Sequence, residues 1–359
     1  MVKFSSIQRG WVRSSSNYDT KTFRHWACTN SGRKSEDIMG KGAALIAVLA
    51  MMSAGATAAE TAGSSTTAAT PLLEQTASRF VMMRADLDYA DKASLSGAKV
   101  TRTVHEMLGS HDPEAISTGQ MAFAALVAAD TPAFAAAIEK RANKPKKREK
   151  FLADLRNNPA MVRELEGVDE AIAAIRSVSA RDAARIGQAG ERYIADAYRL
   201  QETGWARSKL PANGTQRVNK AKAFASSRQW PAIAPLPAVI SESGNRRPNL
   251  VADANWSSDW STIAARRPID LDTKRQIYLT KTLVLAARYS LNDLNEGHLS
   301  AFGSDKESKR CYNYAQMNLA QCVSASRTAV EEAFCLGTHG LNDISRCVGW
   351  VAGGGTPKG

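Results

Sequence analysis

Residues 310–352 read RCYNYAQMNLAQCVSASRTAVEEAFCLGTHGLNDISRCVGWVA. Four cysteines, Cys311, Cys322, Cys335 and Cys347, follow one another at steps of 11, 13 and 12 residues. At 100° per residue, eleven residues bring Cys311 and Cys322 to within about 20° of one helix face, but about 16 Å apart along its axis. A disulfide needs Cα atoms within roughly 7 Å, so these two cannot bond each other on one helix. The stretch reads as three helical pieces, 310–323, 325–336 and 341–352, with Gly337 and Gly340 separating the last two.

A two-armed helical hairpin would join Cys322 to Cys335 and Cys311 to Cys347. It needs an uninterrupted second arm, and Gly337-Thr338-His339-Gly340 interrupts that arm. Three separate helices instead bring Cys311 opposite Cys335 and Cys322 toward Cys347, and that is the expected pairing. Zinc sites show C-x2–4-C pairs, which these spacings lack, and Cys335 with His339 is only a C-x3-H match. The C-x-x-C-H of haem attachment is absent. Two structural disulfides, with no metal and no cofactor, are expected.

Disulfides imply an oxidising compartment, and the other end of the chain agrees. Residues 39–60 read MGKGAALIAVLAMMSAGATAAE, with a positive start at Lys41, an apolar run from Ala43 to Met52, and small residues around Ala56-Thr57-Ala58. That order is a secretory signal peptide, 39–59, cleaved near Ala58. The run is too short to cross a bilayer, which takes about 20 residues, so no transmembrane helix is expected in the mature chain. Residues 1–38, which include Cys28, read as a disordered, over-extended N-terminus with Met39 as the start, or else as a long n-region of the signal. The chain of 359 residues carries a net charge of +12. Residues 1–58 hold eight Lys or Arg and three acids, so seven of the twelve charges stay with the exported part. In a periplasmic or secreted protein, a basic surface meets anionic lipid, lipopolysaccharide or wall polymer, or another envelope protein, and not nucleic acid.

The tail, together with FLADLRNNPAMVRELEGVDEA (151–171) and GERYIADAYRLQ (190–201), resembles exported helical proteins of alphaproteobacterial type that end in four cysteines. The resemblance implies export and a helical build, and brings no activity.

A flexible linker, 60–71, precedes a helical domain at 72–205. Leu73, Thr76, Phe80, Met83 and Leu87 form one apolar face. Further helices are expected at Ala98–Leu108, after Asp112-Pro113, after Thr131-Pro132, after Asn158-Pro159, and as two stretches at Glu164–Arg176 and Ala180–Leu200. Residues 206–268 hold six of the twelve prolines and no long apolar period, and read as an irregular Trp/Pro-rich segment, either a disordered connection or an irregular layer laid over the helices, in which Ala232–Ile240 is extended or a short strand. Helix resumes at Asp270 or Asp272 and opens the C-terminal helical region, 269–353. The fold class is mainly α: a multi-helix bundle with a long irregular segment and a disulfide-stapled three-helix tail.

Catalytic motifs are missing. His105 and His111 are six residues apart, on opposite helix faces, where a zinc-protease pair needs four. They read as solvated groups near a helix end, and His298 and His339 as loop or cap residues. Carboxylate pairs at Glu164/Glu166, Asp169/Glu170 and Glu331/Glu332 read as solvated helix faces. Two basic features remain. Lys140, Arg141, Lys144, Lys146, Lys147, Arg148 and Lys150 crowd one helix junction, as a solvated turn or an anion-binding patch. Residues 201–267 carry ten Lys or Arg against four acids, with Trp205, Trp230, Trp256 and Trp260 as anchors or aromatic contacts. The expected function is therefore a non-enzymatic envelope protein that binds an anionic component or another protein. A wall-glycan hydrolase with a carboxylate acid is the alternative. A cytosolic zinc or nucleic-acid protein is left only if the signal is false.

Overall fold

The computed structural model describes residues 72–211, 213–227 and 273–353, and the backbone of two short strands at 238–240 and 246–248. The expected N-terminal extension, signal peptide, linker, Asp270, Asp272, Trp230, Trp256 and Trp260 lie outside the described residues.

The first helices start where the sequence marks them. α1 (Leu72–Lys92) and α2 (Ala98–Leu108) are followed by α3 (Pro113–Ala129), whose Asp112 carboxylate accepts from Ala115 N–H at 2.7 Å. α4 (Pro132–Ala142) and α5 (Pro145–Asn157) also open on a proline, which fits the first turn because no partner is needed there for its missing N–H. Thr131 stands at the cap of α4, but its hydroxyl donates back to Val127 O at 3.1 Å. A 3-10 turn, Pro159–Glu164, leads to Gly167, whose φ of 77° admits a glycine where any side chain would strike the start of α4. α6 (Val168–Leu200) is one helix of 33 residues where two were expected. No proline or glycine falls between Arg176 and Ala180 to part them.

α3 is the centre. Thirteen of its residues are buried, every one from Gly119 to Ala129 among them, and from Met121 onward they are apolar around the whole circumference. α1, α6, α8 (Thr273–Ser290) and α10 (Lys306–Ala325) surround it. At Gly119 the backbone of α1 comes so near that an added Cβ would stand 2.9 Å from Phe80 N. Helices from both sides of the irregular segment therefore share one hydrophobic core. α1 and α6 run parallel along a ladder of ion pairs: Arg84 with Asp182 at 2.7 Å, Asp88 with Arg185 at 2.7 Å and Asp91 with Arg192 at 2.9 Å.

The tail corrects the expected cysteine pairing. Cys311 bonds Cys347 and Cys322 bonds Cys335, with Cα separations of 5.5 and 5.6 Å. The glycines at 337 and 340 do not break the second arm. α11 (Ala329–Cys335) passes through a π-helical run, Leu336–Asp343, into α12 (Ile344–Gly349) and a last 3-10 turn, Trp350–Ala352. In a pure α-helix, twelve residues would leave Cys347 about 120° from the face of Cys335. The wider i→i+5 turns rotate less per residue, so the run absorbs the surplus and both sulfurs face α10. The three expected helical pieces are present, but the last two join through the π-helical run into one arm, so the tail is a two-armed hairpin. Its glycines serve contact with α6: a Cβ on Gly337 would sit 2.9 Å from Gly190 O, and one on Gly349 2.8 Å from Ala183 Cβ.

Of the segment expected to be irregular, the described residues 206–211 and 213–227 include a regular helix. Residues 206–210 lie antiparallel to the start of α11. Ala329 N–H donates to Ser208 O, Val330 N–H to Ala206 O, and Leu210 N–H to Arg327 O. This satisfies amide groups that a helix start leaves open. α7 (Gly214–Ser227) then covers α2 and α10. Its buried Arg217 donates to Val323 O and Ser326 O, both at 2.7 Å, at the end of α10, where carbonyls lack helical partners and a cation is favoured. Further on, β1 (Ala238–Ile240) pairs antiparallel with β2 (Arg246–Pro248). α9 (Glu296–Phe302) bridges α8 and α10.

Candidate functional site

The basic cluster lies where α4 ends and α5 begins. Lys140 and Arg141 close α4, Asn143 ends it, and Lys144 stands at the cap of α5. Lys146, Lys147, Arg148 and Lys150 occupy the first two turns of α5, which hold no acid in the first turn and no side-chain cap. All seven side chains are exposed except Arg148, which is half-buried and donates to Leu291 O at 2.6 Å. Lys140 is 3.9 Å from Glu166, both on the surface. α5 is held by its other side, where Phe151 and Leu155 are buried. The expected residues are therefore gathered on one convex corner. Six of them face solvent, and Arg148 serves the loop after α8.

Trp205, the described member of the aromatic set, is half-buried against the core. Of the carboxylate pairs, Glu164, Glu166, Asp169 and Glu170 are exposed, as expected. Glu331 completes a capping box with Thr328, accepting from Thr328 N–H at 3.1 Å. Its neighbour Glu332 is not solvated. It is fully buried, with an oxygen 3.0 Å from His105 Nδ1.

Three of the histidines, His105, His111 and His339, overturn the expectation of solvated and loop groups. His105 is buried on α2 in the stripe Thr101, Val104, His105 and Leu108, and pairs with Glu332. His111 is buried in the following turn, and its Nε2 lies 2.7 Å from Asp86 of α1. His339 lies inside the π-helical run, its Nδ1 2.8 Å from Asp343. His298 is in the first turn of α9, where its N–H donates to Asn295. The six-residue spacing keeps His105 and His111 on different partners, but His111 lies beyond the end of the helix rather than on its opposite face, and both are buried against carboxylates of other elements. The one available signal was the apolar stripe around His105. Both pairs are sealed from solvent and join elements rather than face a substrate.

A small cleft between α1, α3 and α6 is lined by Phe80, Phe123, Val127, Ile175, Val178 and Asp182. Its free space is about 10 Å³, room for one water. Its acid, Asp182, is held by both nitrogens of the Arg84 fork, at 2.7 and 3.1 Å. Two other acids have raised pKa values. Burial raises that of Glu74, partly offset by the Tyr289 hydroxyl that donates to it at 2.6 Å. Burial raises that of Asp305, partly offset by Ser308 N–H. Each belongs to a structural contact: Glu74 ties α1 to α8, and Asp305 caps α10.

Among the described residues, no three His, Cys, Asp or Glu converge as metal ligands would. No described helix is by itself long and apolar enough to cross a membrane, and α3 with α4 reach that length only as a pair bent by 79°. The two disulfides accord with an oxidising, extracytoplasmic setting. No protein-family model, no curated protein and no solved structure matches this chain.

Proposed function

We propose that this is an exported, non-enzymatic envelope protein that binds an anionic envelope component through the basic corner of α4 and α5. Its setting is periplasmic or secreted, which the signal-like residues 39–59 and the two disulfides support. The observation that carries the reading is the corner itself. Seven basic side chains fall within eleven residues, and six of them are exposed at one helix junction. Lysine and arginine held near an anionic surface add about 1 kcal/mol each. The chemistry common to lipid, lipopolysaccharide and wall polymer is dense negative charge, which such a corner matches.

The test is charge reversal. Lys144→Glu, Lys146→Glu and Lys147→Glu together spare Arg148, whose inward bond supports the fold. Sedimentation with envelope fragments at low salt is expected to fall steeply for the triple variant, with its thermal unfolding unchanged. Equal sedimentation of variant and parent would remove the corner from the reading.

A further inference from the structure

We infer that the α4–α5 corner adsorbs to an anionic lipid membrane by counting charge, without recognising an individual headgroup. This rests on the reading of the corner as an anion-binding surface, and it adds the kind of partner and the manner of contact. Three observations lead there.

The first is shape. With 100° per residue, buried Phe151 and Leu155 lie about 140° and 180° around α5 from Lys146, while Lys150 and Ala153 lie within about 40° of it. Lys146 thus points away from the core, with Lys150 about 40° and Lys147 about 100° round from it, and all three are exposed. A convex ridge of this kind encloses nothing. A small anion held there would keep most of its surface in water, whereas a flat charged surface meets several lysines at once.

The second is side-chain chemistry. Recognition of a single phosphate draws on the planar fork of arginine, which donates two parallel bonds. Of the corner's two arginines, Arg148 is committed to Leu291 O, and Arg141, at the end of α4, is the one that faces solvent, against five exposed lysines. Lys144, Lys146, Lys147 and Lys150 form no ion pair with the described residues and are compact point charges on flexible stems. Such groups sense potential rather than the geometry of one ligand.

The third is the lack of an apolar wedge. Between Glu139 and Lys150 the side chains are charged or small, with Ala142, Asn143 and Pro145 the only uncharged ones. Nothing there inserts among acyl chains, so contact stays in the headgroup plane and depends on salt.

The experiment uses the exported chain with both disulfides formed, and vesicles of phosphatidylcholine containing phosphatidylglycerol, phosphatidylserine or cardiolipin at equal charge density. Equal binding to the three is expected, with none to phosphatidylcholine alone. A loss of at least roughly tenfold is expected between low and physiological salt. The charge-preserving variant Lys146→Arg, Lys147→Arg, Lys150→Arg binds within about twofold of the parent. The neutral variant, with glutamine at the same three positions, loses roughly a hundredfold, the equivalent of about 1 kcal/mol per lysine. A marked preference for one headgroup at equal charge, a large effect of the arginine variant, or competition by millimolar inorganic phosphate overturns the inference. Binding to soluble anionic polysaccharide but not to vesicles overturns it and leaves the anion-binding reading standing. Failure to bind any of these overturns both.

Discussion

His105 and Glu332 show what one buried pair decides. The Glu332 carboxylate has no exposed surface, and its oxygens find no well-aligned hydrogen bond apart from their closeness to His105. Removing one partner of such a pair leaves an uncompensated polar group, at about 3–5 kcal/mol, whereas apolar replacement of both can be near neutral. His105→Leu is therefore expected to destabilise strongly in urea unfolding, and His105→Leu with Glu332→Leu to regain most of the loss. A double variant as unstable as the sum of the singles would show that the pair is not coupled. Asp305 makes a pH prediction. Burial raises its pKa in the folded chain, so its contribution is present below the unfolded value and is lost as pH rises through the folded one. Asp305→Asn keeps an oxygen for Ser308 N–H and cannot ionise. Relative to the parent it should gain stability from about pH 3 to pH 7, read from urea midpoints across that range. Asp88 has the opposite sign, because its bond to Lys92, above all, lowers its pKa. At this scale the local features were legible and the distant ones were not. Asp112 caps α3 through an amide three residues away, which any reading of Asp-Pro anticipates. The acids facing His105 and His111 come from α11 and α1, and no local pattern names them.

The hairpin of α10 with α11 and α12 shows where element reasoning stopped. Eleven-residue spacing on α10 is a property of one straight helix and was read correctly. The twelve-residue spacing of the return arm makes sense only with π turns, whose glycines resemble a helix break in sequence while Gly337 meets α6 and Gly340 meets Leu108 and Leu319. Peptide mapping without reduction should recover Cys311 with Cys347 and Cys322 with Cys335. Recovery of Cys311 with Cys335 would instead restore the three-helix arrangement. Loop lengths rank the two bonds. Closing 13 residues is worth about 3 kcal/mol and closing 36 about 4 kcal/mol in the chain-entropy treatment. Serine at Cys311 and Cys347 should therefore lower the unfolding midpoint more than serine at Cys322 and Cys335. Gly337→Ala tests the crossing. Its Cβ meets the backbone of Gly190, which cannot swing aside as a side chain would. About 1–3 kcal/mol should be lost, as in other overpacked cores.

Across the whole molecule, the helical character, the mostly polar surface of α5 and the ordered tail could be read in advance, because each follows from local period or charge. The sharing of one core by α1–α6 and α8–α12 could not, since both sets of helices are amphipathic and either set could have closed on itself. That sharing predicts one cooperative transition. Far-ultraviolet and near-ultraviolet circular dichroism should give coincident melting curves, and a fragment ending near Leu200 should fail to melt cooperatively. Two separated transitions would mean that the helical sets stand apart. The position of α3 also has a consequence for how the chain is made. From Met121 to Ala129 α3 is apolar on every side, and two of the helices that sheathe it begin only at Thr273 and Lys306. At roughly 5–20 residues per second of synthesis, it waits on the order of ten seconds for its cover. Bare apolar surface of this kind is prone to aggregate until the final helices and cysteines emerge, so shielding by a general chaperone is expected to raise the yield. Depleting that chaperone should harm the yield of this protein earlier than its activity.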